Sequence, residues 1–313
     1  MVELASTRDA YGKALVEIGR INKNVVVLDA DLAVSTKTSM FGKEFPDRFF
    51  DLGVAEQDMI STAAGFAASG KIVFASTFAV FGSGRAWDQV RISVAYTRLN
   101  VKIVVTHGGI TTGEDGATHQ ANEDIAIMRA IPNMTVIVPA DAVETELTIK
   151  GLMKEYGPSY VRLSRQATPI IYTNRDYEFK IGKGVILRPG SDITIIAAGI
   201  MVYHSLLAAE ELAKDGISAR VVNMHTIKPL DKQLIIECAE QTGAIVTAEE
   251  HSIIGGLGSA VAEVLVENRP VPAIRVGIKD MFGESGLPKE LLEKYGLTPA
   301  DIVLASKNVM KRK

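Results

Sequence analysis

The chain lacks most of the features that would place it among membrane or disulfide-rich proteins. Its 313 residues include a single cysteine, Cys238, which excludes an internal disulfide and a cysteine-based zinc site. No apolar run in the sequence approaches the ~20 residues that a membrane-spanning helix requires. We therefore expect a protein that is not embedded in a membrane and that folds without disulfides.

A large excess of charge of either sign is also absent. The chain has 34 Lys and Arg against 37 Asp and Glu, and its one short basic run is the KNVMKRK stretch at the end. Nucleic acid is not expected as a partner, because phosphate backbones require a concentrated positive footprint. The first residues, MVELASTRDAYGK, lack the charged and then apolar pattern of a signal peptide. A cytoplasmic location is therefore predicted.

Short β-branched runs alternate with amphipathic stretches along most of the chain. The runs predict strands, and the stretches between them predict helices. Apolar strands that alternate with helices are typical of mostly parallel sheets covered by helices on both faces. The predicted strands are 24–30, 71–76, 101–107, 134–140, 159–164, 192–198, 217–223 and 244–249. The predicted helices are 9–20, 55–69, 84–98, 121–130, 141–156, 202–214, 231–241 and 256–267.

One segment interrupts the alternation. Residues 165–184 mix Pro, Asn, Asp and Gly with scattered hydrophobic residues, a composition that is typical of a linker. A length of 313 residues also agrees with two domains of ordinary size. The sequence therefore predicts an α/β fold with two doubly wound, mostly parallel domains at 1–170 and 185–313, joined by a linker at 171–184.

Polar side chains follow several predicted strands at the points where those strands end. In open parallel sheets, ligands bind beyond the carboxyl ends of the strands, so these residues are expected to share one edge. The loop GGITTGEDGATHQ at 108–120 is the most informative, because it holds acids and an imidazole between glycines. The residues in these positions are Asp29, Asp31, Glu56, 77–81, His107, 108–120, Ser164, Arg165 and Gln166.

Several of these residues have a structural explanation when each is taken alone. Glu56 stands at the start of a predicted helix, where a carboxylate interacts favourably with the helix dipole. Phe78 and Phe81 lie three residues apart, a spacing that is more often a core contact than a stacking platform. Arg165 is suited either to a salt bridge or to a phosphate. In the other half, the GGLGS turn at 255–259 precedes a helix and is a weak candidate for an anion cradle.

An ordered set of motifs resembles the second half of a transketolase, its pyrimidine-binding domain followed by its small C-terminal domain. The resemblance covers essentially the whole chain and is most specific where GEDGATHQ is followed by IPNMTVIVPAD. The diphosphate-binding half of transketolases, with its GDG-to-Asn metal motif, has no counterpart here. The matching stretches are DADLAVS (29–35), DLGVAEQDM (51–59), STFAVF (76–81), VVTHGGITTGEDGATHQ (104–120), IPNMTVIVPAD (131–141) and LSRQ (163–166).

The resemblance implies a thiamine diphosphate site shared between two chains. Glu56 matches the catalytic glutamate that hydrogen-bonds N1′ of the aminopyrimidine, and Phe78 and Phe81 match aromatic residues that pack against this ring. Asp31 and Leu32 match positions near the cofactor at the boundary between subunits. No metal ligand is expected in this chain. An N-terminal transketolase subunit would bring Mg²⁺ and the diphosphate site, in an α₂β₂ assembly around a homodimeric core.

The same resemblance implies a substrate site and a reaction. Asp115 and His119 match loop residues that contact the sugar oxygens, and His119 would also polarise the carbonyl or move its proton. Ser35, His107 and Arg165 match the residues that hold the acceptor phosphate. The implied reaction transfers a two-carbon ketol unit from xylulose 5-phosphate to ribose 5-phosphate or erythrose 4-phosphate, and the chain is expected to be active only with its partner.

Some stretches depart from the transketolase pattern and leave alternatives open. Gly84 stands where transketolases commonly have a third aromatic residue beside the pyrimidine. The stretch SGRAWDQVR at 83–91 is similar to the β subunits of 2-oxoacid dehydrogenases. GVAEQ is shared with those subunits and with deoxyxylulose-phosphate synthases. The alternatives are therefore such a β subunit, half of such a synthase, or a non-catalytic assembly subunit. His225 and His251 are interpreted as structural.

Overall fold

The computed structural model describes residues 3–173 and 177–313, so part of the predicted linker, 174–176, lies outside the described residues. The strands are β1 (Leu4–Ser6), β2 (Val25–Asp29), β3 (Phe49–Asp51), β4 (Ile72–Phe78), β5 (Val101–Thr106), β6 (Thr135–Ile137), β7 (Ser159–Arg162), β8 (Ala167–Pro169), β9 (Val185–Arg188), β10 (Ile193–Ala197), β11 (Ala219–Asn223), β12 (Thr226–Lys228), β13 (Ile245–Ser252) and β14 (Ala273–Ile278).

Helices connect most of these strands. The α-helices are α1 (Thr7–Ile21), α2 (Ala33–Thr36), α3 (Ser39–Glu44), α4 (Glu56–Ala68), α5 (Trp87–Gln89), α6 (Asp124–Ala130), α7 (Ala142–Leu152), α8 (Met201–Lys214), α9 (Lys232–Thr242), α10 (Leu257–Glu267), α11 (Pro288–Lys294) and α12 (Pro299–Met310). Tighter or wider helical turns lie at Pro46–Arg48, Phe81–Arg85, Val90–Tyr96 and Ile110–Asp115. Within the described ranges, no helix is long and apolar enough to cross a membrane.

Two sheets contain all the described strands except β1 and β8. The first sheet has seven strands in the order β12-β6-β7-β5-β4-β2-β3, and β12 is its antiparallel member. The second sheet has five strands in the order β14-β13-β10-β11-β9, with β9 antiparallel. These mostly parallel sheets with intervening helices confirm the predicted α/β fold class.

The first sheet is buried on both faces. Alternate residues of β2 point to opposite sides, so Val27 packs in a cluster with Leu15 of α1, whereas Leu28 packs in a cluster with Ile60 of α4. A strand that is covered on both faces needs apolar residues throughout, which explains the continuous β-branched runs of the sequence. Burial on both sides also fixes the register of each strand, and therefore the position at which the strand ends at the carboxyl edge.

The two sheets are joined by more than the linker. Strand β12 comes from the C-terminal part of the chain but pairs with β6, with Thr226 opposite Ile137. Just before the linker, β8 pairs antiparallel with β1. The Asp141 carboxylate at the start of α7 then accepts the backbone N–H groups of Ile171 and Tyr172 at 2.7 and 3.0 Å. The division into 1–170 and 185–313 stays a prediction, and the sheets follow it apart from β12.

Candidate active site

The carboxyl ends of five neighbouring parallel strands form the edge at which the predicted site residues gather. Strands β7, β5, β4, β2 and β3 lie side by side in that order. Their last residues, or the loops and helical turns that follow them, hold all ten predicted site residues, Asp31, Leu32, Ser35, Glu56, Phe78, Phe81, His107, Asp115, His119 and Arg165. This common edge is where open parallel sheets bind ligands.

Four aromatic rings form a cluster at this edge. Phe78 stacks on His107 with ring centroids 3.8 Å apart, and the nearly parallel ring of Phe81 lies 6.1 Å from Phe78. His119 meets both phenylalanine rings edge-on, at 6.3 Å from Phe78 and 5.4 Å from Phe81. The structure therefore joins residues predicted for the cofactor with residues predicted for the substrate. Such a cluster offers a flat apolar face to a planar ligand.

Glu56 is the first residue of α4 and lies beside this cluster. The turn before it begins at Asp51, whose Oδ1 accepts the N–H groups of Gly53 and Asp31 at 3.0 and 2.9 Å. Gly53 has φ +71°, a conformation that strongly favours glycine. The Glu56 side chain is only 1% exposed, and its Oε2 accepts a hydrogen bond from Arg85 Nη1 at 2.8 Å. The site therefore contains a buried carboxylate paired with a half-exposed guanidinium.

A buried aspartate organises the loop that carries Asp31, Leu32 and Ser35. Asp29 accepts hydrogen bonds at 2.7 Å each from the hydroxyls of Thr36 and Thr38 and from the N–H of Leu32. Burial raises the pKa of Asp29 to about 6, while these donors oppose the shift. Asp29 therefore holds the loop at the edge of the sheet.

Arg8 was not among the predicted site residues, yet it links two of them. Its Nη1 donates to the backbone oxygen of Ser35 at 2.8 Å, and its Nη2 donates to that of Arg165 at 2.9 Å. Arg165 Nη1 in turn donates to Glu114 Oε2 at 2.7 Å. Burial, followed by the charges of Arg8 and Arg165, lowers the pKa of His107 to about 3, so this imidazole is neutral near pH 7. Two guanidinium groups and a neutral imidazole therefore meet here.

Contacts with the C-terminal part of the chain hold the 108–120 loop in place. The Glu250 carboxylate on β13 accepts the N–H of Thr111 at 2.7 Å. Gln120 Nε2 donates to the backbone oxygens of Ile110 and Glu284 at 3.2 and 2.9 Å. The sequence had suggested no role for the C-terminal domain. The structure shows that it fixes the loop that carries His119.

Two predicted site residues are exposed carboxylates. Asp115 is exposed at the end of the Ile110–Asp115 turn. Asp31 is also exposed and has φ +63°. Leu32 is half-buried beside Asp31, and its N–H is bound by Asp29. Both exposed carboxylates are therefore free to face a ligand or another chain.

The glycine-rich turn at 255–259 binds an anion that the chain itself provides. Glu249 is buried, and its Oε2 and Oε1 accept the N–H groups of Leu257 and Gly258 at 2.7 and 2.8 Å. These donors open α10, so they occupy the place that a phosphate would take. The turn is therefore a structural cap for Glu249, and it is not a phosphate site.

The fold and this edge define an α/β protein whose candidate site combines a buried carboxylate, an aromatic cluster and two neighbouring arginines. Residues 3–170 match the pyrimidine-binding domain of transketolase, and residues 182–302 match the transketolase C-terminal domain. The chain belongs to the transketolase family. This confirms the resemblance that the sequence motifs carried.

Relatives of similar length support the same assignment. A protein of Methanocaldococcus jannaschii described as a transketolase C-terminal section is 54% identical over 97% of this chain and 96% of its own length. A 6-deoxy-6-sulfo-D-fructose transketolase subunit of a Clostridium species is 49% identical over 98% of this chain and 95% of its own length. One of the subunits of an apulose-4-phosphate transketolase, from Phocaeicola vulgatus, is 41% identical over 99% of both chains.

A solved structure gives the same result. A split gene transketolase, described as an inactive β4 tetramer, superposes with a TM-score of 0.92 at 54% identity over 98% of both chains. The chain is thus a subunit of a split transketolase, a transferase subunit. Family membership implies thiamine diphosphate binding.

Proposed function

We propose that this chain is the pyrimidine-binding subunit of a two-chain transketolase that moves a ketol unit between sugar phosphates. The observation that carries the proposal is the buried Glu56 carboxylate beside the cluster of Phe78, Phe81, His107 and His119. A carboxylate and an aromatic face side by side suit a planar, nitrogen-containing ring. The proposed donor is xylulose 5-phosphate, and the proposed acceptors are ribose 5-phosphate and erythrose 4-phosphate.

The residues present fit the pyrimidine half of thiamine diphosphate. Glu56 would accept a hydrogen bond from the ring nitrogen, and burial strengthens such a charge-assisted bond. Phe78 and Phe81 would pack against the ring, and Asp31 and Leu32 would lie near it at the boundary between chains. When bound, the cofactor supplies a stabilised carbanion for two-carbon transfer. The Mg²⁺ ligands belong to the partner chain in this proposal.

The substrate site is proposed at the other end of the aromatic cluster. Arg8, Arg165 and the neutral His107 would hold the acceptor phosphate, with Ser35 beside them. His119 and Asp115 would contact the sugar oxygens. The names of two relatives give sugars other than xylulose 5-phosphate, namely a sulfofructose and an apulose phosphate. The choice of sugar is therefore the part of the proposal that most needs an assay.

Activity should require the N-terminal partner. A similar split transketolase chain is described as an inactive tetramer of β subunits, which supports the view that this chain alone lacks a complete site. We propose an α₂β₂ enzyme in the cytoplasm, built around a homodimer of this chain. Turnover by the purified chain alone would contradict the split-subunit proposal.

The test is co-expression with a chain that carries the diphosphate-binding domain, followed by an assay with xylulose 5-phosphate and ribose 5-phosphate. Formation of sedoheptulose 7-phosphate is expected. A Glu56→Gln variant should lose about 100-fold or more of this turnover while still folding. Wild-type turnover in that variant removes Glu56 from the mechanism. Activity only with pyruvate and an acyl carrier or glyceraldehyde 3-phosphate would favour the alternative enzymes.

A further inference from the structure

Arg85 contacts the two groups that the proposed function assigns to the pyrimidine ring. Its Nη1 donates to Glu56 Oε2 at 2.8 Å, and its guanidinium carbon lies 4.4 Å from the centroid of the Phe81 ring. Glu56 and Phe81 are the groups proposed to bind and pack the pyrimidine. One side chain of this chain therefore engages both groups.

The chemistry of the two planar groups is similar. A guanidinium is flat, donates N–H groups to carboxylates and stacks on aromatic faces. An aminopyrimidine that gives its ring N–H to Glu56 and packs on Phe81 would use the same two contacts. The arginine therefore imitates the ring in both its hydrogen bond and its stacking.

Because the Glu56 carboxylate is buried, the pyrimidine ring cannot reach it without a rearrangement of the side chains around it. Glu56 is 1% exposed, whereas the Arg85 side chain that covers it is 46% exposed. A ring nitrogen can reach the carboxylate only after a covering group has moved. Movement into solvent is open to Arg85, because nearly half of its side chain is already exposed.

We infer that Arg85 occupies the pyrimidine position in the cofactor-free chain and is displaced when the ring binds. The inference rests on the proposed function, because it assumes that Glu56 and Phe81 take the ring. Arg85 is thus an internal competitor that keeps the buried carboxylate paired until the cofactor arrives. Gln57 Nε2 holds the backbone oxygen of Arg85 at 3.1 Å, so the side chain can leave while the backbone stays.

A supporting role for Arg85 makes the opposite prediction. In that case the guanidinium would stay on Oε2 while the ring nitrogen took the other oxygen, and loss of Arg85 would weaken binding. Displacement instead requires the ion pair and the stacking to be broken first, so loss of Arg85 would strengthen binding. The sign of the affinity change therefore separates the two roles.

The experiment measures binding of 4-amino-5-hydroxymethyl-2-methylpyrimidine, the pyrimidine half of thiamine, to the full chain by saturation-transfer NMR. Arg85→Gln is expected to bind the probe about 5-fold more tightly than wild type, because a partly exposed ion pair and its stacking no longer compete. Arg91→Gln is the matched control, since Arg91 lies over Trp87 at 5.9 Å, and it should bind as wild type does. Equal or weaker binding by Arg85→Gln overturns the inference, as does binding by neither chain.

A second measurement compares how the two chains respond to salt. Raising NaCl from about 0.05 M to about 0.5 M weakens the Arg85 ion pair only from its exposed side, so probe affinity should rise modestly in wild type and less in Arg85→Gln. An equal salt response in both chains contradicts displacement. The double variant Glu56→Gln, Arg85→Gln tests the proposed function separately. If it binds the probe as well as Arg85→Gln alone does, Glu56 is not the pyrimidine partner, whatever Arg85 does.

Discussion

At the scale of single residues, Arg8 has the clearest organising role. One guanidinium donates to the backbones of Ser35 and Arg165, which are far apart in the sequence. It also lies close enough to His107 to help lower the pKa of that imidazole. Arg8 therefore supplies positive charge to the proposed phosphate site and shapes it as well.

Replacement of Arg8 by Gln should therefore weaken substrate binding more than it slows the chemical step. Hydrogen bonds to charged groups contribute roughly 1.5–3 kcal/mol, so KM for the sugar phosphate is expected to rise about 10- to 100-fold. Steady-state kinetics of the assembled enzyme give this value. Arg20→Gln is the control, because Arg20 pairs with Glu44 in an exposed salt bridge. A change confined to kcat would contradict the phosphate role.

We predict that His225 lowers the stability of the folded chain in acid. Its ring is buried, and burial lowers its pKa from 6.5 to about 4. Between these values the unfolded chain binds more protons than the folded chain, so this histidine makes stability fall as the pH drops from 6.5 towards 4.

His225→Gln should remove this loss. Relative to the variant, wild type should lose up to ~1.4 kcal/mol of unfolding free energy per pH unit across that window. Urea unfolding of both chains at a series of pH values measures the difference. The raised pKa of Asp29 acts in the opposite direction in both chains, so it cancels in the comparison. A constant difference between the two chains would show that His225 is not the cause.

The residues that the sequence identified share a simple property. Glu56, Phe78, His107 and Arg165 each stand at or just after the end of a strand in one parallel sheet, so knowledge of the strands predicted a common edge. Arg8 follows no predicted strand, and its role depends on contacts with distant loops that a single sequence does not reveal. The functional roles assigned to these residues stay predictions.

At the scale of elements, the buried parallel strands were the easiest to predict. Strands β2, β4 and β5 lie within one to two residues of their predicted limits, because burial on both faces makes them continuously apolar. The short edge strands β9 and β12 were missed, since an edge carries a weaker apolar pattern. The helix predicted at 84–98 was wrong in detail, because the chain forms π-helical turns on either side of α5.

The 108–120 loop depends on a residue more than 130 positions away. Glu250 accepts the N–H of Thr111, and a Cβ on Gly109 would come within 2.3 Å of its Oε1. The loop and the carboxylate therefore fit closely only because residue 109 is a glycine. The sequence identified the loop by its acids, imidazole and glycines, and the structure adds that Glu250 anchors it.

Glu250→Ala should release this anchor. The Thr111 N–H would be left buried without its acceptor, at a cost of roughly 1–3 kcal/mol. Hydrogen–deuterium exchange should become faster across 108–120, and kcat/KM of the assembled enzyme should fall. Glu263→Ala is the matched control, because Glu263 forms a partly exposed pair with Arg129. Unchanged exchange in Glu250→Ala would mean that the loop is held by its other contacts.

At the scale of the whole molecule, the two parts of the chain form a shared polar cluster beneath the linker. The buried Glu144 carboxylate accepts hydrogen bonds from Asn223 at 2.9 and 3.0 Å and from the Tyr177 hydroxyl at 2.8 Å. Tyr177 in turn stacks on Tyr172 with centroids 3.9 Å apart. With β12 added to the first sheet, these contacts link the C-terminal domain firmly to the part that carries the proposed site.

Apolar side chains that remain exposed at the carboxyl edge point to assembly there. Val34 and Val54 are 77% and 70% exposed. Val34 lies in α2, just after β2, and Val54 lies in the turn after the neighbouring strand β3. Val54 is also two residues from Glu56. Exposed apolar residues beside a half-open site are typical of a surface that another chain covers.

Val54→Asp should therefore weaken self-association of the chain and its assembly with the partner, because a charge at the centre of an apolar contact must be desolvated. Sedimentation velocity over a range of concentrations should show a shift towards smaller species. Leu304→Asp is the matched control, since Leu304 is 60% exposed on α12 and is distant in sequence from the site edge. If both variants sediment like wild type, the carboxyl edge is not the surface through which the subunits assemble. If only Val54→Asp dissociates and turnover of the assembled enzyme falls with it, assembly and the Glu56 site share one surface.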